Sequence, residues 1–197
     1  MASPSQIPPP PSPFVVLLSG THVTGKETLA LKLSSALKWK WIEGDMPHAS
    51  ARFGARSQAA RGLDYAQVFG RIWLTKLMQL GFLSEGSTSP DGCAGLITTL
   101  AMRPPARDAM RAALGGVGVR AVFVIMQINT ETLEGRTVGA EEPELAERIL
   151  EEKIKDIQEP GEEEEDVILV EAVRDVDSLF EEIMGKIGER VGRGGGG

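Results

Sequence analysis

The sequence predicts an α/β fold, a five-stranded parallel sheet with helices on both faces, and three observations lead there. Short apolar runs alternate along the chain with longer segments of helical period. A glycine-rich loop stands between the first apolar run and the first helical segment. The length, 197 residues with 42% hydrophobic and 25% charged, suits one globular domain with a sizeable core.

Taken in order, residues 1–13 hold six prolines and several serines, a composition that forms neither helix nor ladder, and are expected to be a disordered tail. Phe14 to Ser19 reads as a buried strand, and Lys26 to Leu37, with Leu29, Leu33 and Leu37 at helical spacing, as the first helix. Trp39 to Ile42 is a short second strand with Trp39 and Trp41 on the same side. Residues 64 to 81 form an amphipathic helix that gathers Val68, Ile72, Leu77 and Leu80 near one face. Cys93 to Leu100 is strand-like, and Pro104 and Pro105 suit the first turn of a helix reaching Leu114. Val119 to Ile128 is a β-branched run and the fourth strand. Glu144 to Ile157 reads as helix, Asp166 to Glu171 as the last strand, and Val176 to Val191 as the last helix. The domain therefore spans 14–191, followed by a loose glycine tail at 192–197. Strands alternating with helices imply right-handed crossovers and a sheet covered on both faces.

The formal charge of −7 is unevenly spread. Residues 131–166 carry 15 acidic and 4 basic side chains, net −11, and the remainder carries 13 acidic and 17 basic, net +4. From Arg52 to Arg111 there are eight Arg or Lys against four acids, so the middle of an acidic molecule can attract an anion. No dense basic stripe suggests nucleic acid, and no apolar stretch approaches the ~20 residues that cross a bilayer. A cytoplasmic location is expected, since the N-terminus lacks the pattern of a secretion signal. One cysteine and two histidines give neither a disulfide framework nor a zinc cluster.

The loop Gly20-Thr21-His22-Val23-Thr24-Gly25-Lys26 matches G-x-x-x-x-G-K between a strand and a helix. In that pattern backbone N–H groups curl around phosphates at a helix N-terminus while the lysine neutralises the β and γ oxygens, which implies ATP. A glycine turn that merely caps the helix is the alternative. Glu27 stands where Ser or Thr usually offers a hydroxyl to Mg²⁺; a carboxylate can ligate that ion, although its charge also faces the triphosphate. Thr28, one residue on, can still reach a phosphate oxygen.

Further segments follow in order. Trp41-Ile-Glu-Gly44-Asp45-Met-Pro-His48 resembles the F-x-x-G-D-x-x-H signature of the gluconokinase family, small P-loop kinases that phosphorylate gluconate. Residues 97–111 resemble its S-A-L-K-x-x-Y-R-x-x-L-R stretch, 119–136 its fourth strand and the helix to the lid arginine, and 154–160 its Q-F-x-x-L-E-x-P region. The resemblance runs from Phe14 to Ile187 and implies a P-loop kinase three-layer sandwich that uses ATP and Mg²⁺ on a small anionic sugar acid, and a possible homodimer. It gives Lys26 and the backbone of residues 20–28 to the phosphates, and Asp45 to the acceptor hydroxyl as base, with His48 nearby. Arg103, in place of the family lysine, and Arg107 and Arg111, one helical turn apart, would hold the acceptor's anionic group. Arg136 would approach the transferring phosphate from the lid.

Each of these has a plainer alternative: a helix N-cap for Asp45, a helix-start side chain for His48, and solvated helix surface for the arginines. Departures from the family pattern fall at Glu27, at Leu100 in place of serine, and at Ala140 in place of a second lid arginine. Two readings follow. One is a diverged sugar-acid kinase, and the other is a pseudokinase that binds nucleotide or a partner without phosphoryl transfer. The run Glu162 to Asp166 is expected to be a solvated loop.

Overall fold

The computed structural model describes residues 12–20, 24–84, 86, 88–99, 103–128, 160–161 and 163–192. Five strands, β1 (Phe14–Gly20), β2 (Trp41–Glu43), β3 (Cys93–Thr99), β4 (Arg120–Gln127) and β5 (Val167–Glu171), form one sheet in the order β2-β3-β1-β4-β5. All four pairings are parallel. The described helices are α1 (Lys26–Leu37), α2 (Asp45–Ala59), α3 (Tyr65–Gln79), α4 (Pro104–Gly115) and α5 (Val176–Gly192).

Alternation within β1 explains the three layers. Phe14, Val16 and Leu18 point to one face, where Leu29 and Leu33 of α1 and Ile183 and Ile187 of α5 cover them. Val15 and Leu17 point to the other, against Ala51 and Ala55 of α2, Phe69 and Trp73 of α3, and Met110 and Leu114 of α4. A strand buried on both sides has no use for polar alternation, so β1 and β3 read as continuous apolar runs.

The helix Lys26–Leu37 falls where periodicity predicts it, and β2 begins at Trp41 rather than Trp39. Trp39 lies just ahead of the strand, buried edge-on against Phe14 with its ring centroid 6.0 Å away. The helix α2 is not among the elements that periodicity predicts. Its buried residues are His48, Ala51 and Ala55, so it packs closely on α3 through small side chains and shows no large apolar stripe. The expected helix at residues 144–157 lies outside the described residues, as do most of both tails. Among the described residues no helix is long and apolar enough to cross a membrane.

Candidate active site

In a doubly wound sheet, ligands sit beyond the carboxyl ends of the strands where successive connections leave to opposite faces. Here α1 follows β1 onto one face and α4 follows β3 onto the other, so the crevice opens between β1 and β3. The two strands end side by side, Ser19 in register with Thr99. Both hydroxyl oxygens are buried without a hydrogen-bond partner, and so are Asp45 Oδ1, His48 Nδ1 and Trp73 Nε1. Buried polar atoms are nearly always paired in native proteins, so these unpartnered atoms are candidates for contact with a ligand.

The first wall is the glycine loop. A Cβ on Gly20 would stand 2.8 Å from the Met126 carbonyl oxygen and 3.0 Å from Thr24 Oγ1, so only glycine lets the chain leave β1 this close to β4. Gly25 adopts φ 84°, the left-handed conformation glycine takes without strain, and turns the chain into α1. Lys26 is the first residue of that helix and only 1% exposed. Its charge adds to the positive end of the helix dipole, an arrangement suited to phosphate. Glu27 is half-exposed, with Oε1 3.9 Å from Lys26 Nζ. Among the described residues no three His, Cys, Asp or Glu side chains converge as a metal cage. Thr21, His22 and Val23 lie outside the described residues.

The second wall is the start of α2. Gly44 donates its N–H to the Thr98 carbonyl at 2.6 Å, and a Cβ there would stand 2.5 Å from that oxygen and 2.8 Å from Ile97 Cγ2. That bond presses the first turn of α2 against β3. Gly44 is also the N-cap, and no side chain caps the helix, so Asp45 does not do the N-cap work offered as its plainer role.

His48 is 2% exposed, with the Phe69 ring edge-on at 5.4 Å and Trp73 at 6.4 Å. Burial, and secondarily the charge of Arg52, lower its pKa from 6.5 to about 4, so the ring is neutral at pH 7. It lines a cavity of about 300 Å³ together with Arg52 and Arg56 of α2, Tyr65 at the start of α3, and Arg103 at the N-cap of α4. Sequence reasoning identified His48 and Arg103 but not Arg52, Arg56, Ser19, Thr99 or Trp73. The usable signals were the four-residue spacing of His48, Arg52 and Arg56, and the hydroxyl residues that end two otherwise apolar strands.

Arg107 and Arg111 go elsewhere. Sequence reading groups them with Arg103 around one anion, and the structure separates them from it. Arg107 is 0% exposed and donates from Nε to Glu164 Oε2 at 2.7 Å and from Nη2 to Glu164 Oε1. Arg111 forks onto Asp166 at 2.6 and 2.7 Å, reaches Glu164 at 2.5 Å, and lies 5.0 Å from the Phe123 ring centroid. The Arg107 hydrogen bond leads in holding the Glu164 carboxyl down at about 2, with Arg111 assisting. The acidic run is therefore not simply a solvated loop: Glu163 and Glu165 are exposed, while Glu164 and Asp166 clasp α4. A cavity of about 540 Å³ lies beside this cluster, where Arg111, Arg120 and Arg190 face Asp108 and residues 163–166. Leu100, Arg136 and Ala140 lie outside the described residues.

No family model matches the sequence, and no curated protein matches it. Solved structures match over most of their length. A sugar kinase from a Janibacter species has 17% identity and a TM-score of 0.62, covering 89% of this chain and 94% of that one. A gluconokinase from Sinorhizobium meliloti has 16% identity and a TM-score of 0.59, covering 92% and 95%. A shikimate kinase from Aquifex aeolicus has 16% identity and a TM-score of 0.51, covering 92% and 100%. At such identities the likeness is one of fold, and the chain has the three-layer α/β fold of small P-loop kinases.

Proposed function

We propose that the protein is an ATP-dependent small-molecule kinase that transfers the γ-phosphoryl group to a hydroxyl of gluconate or a related sugar acid. The observation that carries this reading is the set of orphaned buried polar atoms, Ser19 Oγ, Asp45 Oδ1, His48 Nδ1 and Thr99 Oγ1, together with buried Lys26 at the start of α1. Lys26 and the N–H groups of residues 20–28 bind the β- and γ-phosphates. Bound with the nucleotide, Mg²⁺ would supply charge neutralisation across those oxygens, with Glu27 as the carboxylate able to hold it.

The acceptor oxygen forms a bond to the γ-phosphorus as the bond from that phosphorus to the β–γ bridging oxygen breaks, and ADP leaves with the electron pair. The hydroxyl proton passes to Asp45, whose buried Oδ1 has no other partner. His48, neutral at pH 7, orients the acceptor through a hydrogen bond rather than a charge. Arg136, to which the family resemblance gives the role, would act on the transferring phosphate.

A phosphate-transfer assay with Mg-ATP against gluconate and a panel of sugar acids tests the proposal, with ADP formation as the readout. Asp45→Asn is expected to abolish turnover and leave ATP affinity unchanged; turnover at the wild-type rate would reduce Asp45 to a structural residue. Lys26→Ala is expected to weaken ATP binding about tenfold or more, and an unchanged calorimetric titration would sink the phosphate-loop assignment. A second reading, nucleotide binding without transfer, is favoured by the Glu27 carboxylate 3.9 Å from Lys26 Nζ. ATP binding with no ADP formed across the whole panel would select it.

A further inference from the structure

We propose that Ser19 and Thr99, the hydroxyl side chains at the ends of β1 and β3, hold the hydrated Mg²⁺ of the bound nucleotide and so supply from the sheet the hydroxyl that the loop lacks at Glu27. The inference rests on the phosphate-loop part of the reading above and deepens it.

Strand register places the two side chains together. Leu17 stands beside Ile97 and Ser19 beside Thr99, on strands about 4.8 Å apart. Leu17 and Ile97 belong to the core against α2, α3 and α4, and alternation sends Ser19 and Thr99 to that same face at the crevice end. On the other side of β1 the residue in register with Ser19 is Ile125, which is apolar. Ser19 leads directly into Gly20, the first residue of the loop.

Hydrogen bonding sets these two hydroxyls apart from their neighbour. Thr98 points to the opposite face, where its hydroxyl accepts from Trp41 Nε1 at 3.2 Å. Ser19 and Thr99 are both 0% exposed, and among the described residues neither oxygen has a hydrogen-bond partner. Leu17 and Ile97 fill the positions below them with apolar groups, so a hydroxyl at each strand end serves no packing purpose that a methyl would not, and the unmade bonds cost stability. Chemistry narrows what completes the pair. Mg²⁺ takes hard oxygen ligands and keeps several of its waters, and each hydroxyl offers two lone pairs to such waters and one proton to a neighbouring oxygen. Glu27, on the first turn of α1, is half-exposed with Oε1 3.9 Å from Lys26 Nζ. With two hydroxyls on the sheet side, the cation need not depend on one carboxylate that also faces the triphosphate.

Calorimetric titration of the full chain with a nonhydrolysable ATP analogue, run in Mg²⁺ and again in EDTA, tests the pair. S19A/T99V is expected to bind the analogue about tenfold more weakly than wild type in Mg²⁺ and equally well in EDTA, since only the hold on the cation is lost. T99S, which keeps the hydroxyl, is expected to match the wild type in both buffers. An S19A/T99V affinity unchanged in Mg²⁺ overturns the proposal, and so does an equal loss in EDTA, which would put the hydroxyls on the phosphates themselves. Thermal unfolding without nucleotide reads a structural role separately. T99V replaces an unpaired buried hydroxyl by a methyl of the same shape, so its midpoint should equal or exceed that of the wild type. A lower midpoint would show that the oxygen is bonded inside the protein and would overturn the assignment. Wild-type chain that binds the analogue in neither buffer overturns the phosphate-loop reading and this proposal with it, whereas tight binding that ignores S19A/T99V overturns this proposal alone.

Discussion

Two pairs of arginines in this protein share the same spacing and have opposite surroundings. Arg107 and Arg111 on α4 are met by Glu164 and Asp166, two of the pairing carboxylates sitting on the approach to β5. Arg52 and Arg56 on α2 face a cavity that, among the described residues, no carboxylate lines. A four-residue interval states only that two side chains share a helix face. What the charges do depends on what the fold brings opposite, and here a segment more than fifty residues away supplies carboxylates to one pair, while among the described residues the other pair forms no ion pair.

The contrast breaks or sharpens on measurement. The largest expected effect is on Arg107: its replacement by Ala empties a fully buried side-chain site and leaves the nearly buried Glu164 carboxylate with Arg111 as its only arginine partner among the described residues, and should cost about 3 kcal/mol in urea unfolding. A loss no larger than that of an α2 arginine would erase the distinction.

Next comes pH. His48 has a folded pKa near 4 against an ordinary 6.5, so the unfolded chain takes up its proton first. Its contribution is complete above pH 6.5 and is lost as the pH falls to about 4, roughly 3 kcal/mol in all. Glu164 is held at about 2 against 4.5, so the α4 clasp is complete above pH 4.5 and is lost as the pH falls toward 2. Unfolding measured through both windows should show His48→Asn flattening only the upper one. A profile unchanged by that variant between pH 6.5 and 4 would mean that the His48 ring is not kept neutral by its surroundings.

The smallest effect belongs to Arg52→Gln and Arg56→Gln, which should leave stability within about 0.5 kcal/mol, shifted toward stabilisation as their mutual repulsion is relieved. A cost of about 2 kcal/mol for either would show that these arginines have a partner within the protein.

Much of the fold was legible because its signals are local. Phe14 to Ser19 is an unbroken apolar run, Lys26 to Leu37 shows its period in Leu29 and Leu33, and Pro104 and Pro105 announce α4. The helix α2 was not legible, because Ala51, Ala55 and Gly54 pack by being small, and small residues leave no period to read. The glycine loop was legible as a spacing, since Gly20 closes β1 and Gly25 and Lys26 open α1. The cavity over His48 was only partly so. His48 and Arg103 stood in a recognisable pattern, whereas Arg52 and Arg56 gain their meaning from Tyr65 and α4, which the fold alone brings opposite them. The role expected for Arg107 met the converse difficulty: nothing near it in sequence shows that Glu164 will arrive.

Gly44 has a consequence for how the cavity over His48 can change. It touches no proposed ligand, yet its single N–H bond to Thr98 and its missing side chain set how closely α2 lies on β3. His48, Arg52 and Arg56 ride on that one helix as a unit. A methyl group added at position 44 would tilt the whole row at once, while a change at Arg52 or Arg56 edits a single charge. The helix thus behaves as a key whose teeth can be recut one by one so long as its shoulder stays seated, and Gly44 is the shoulder.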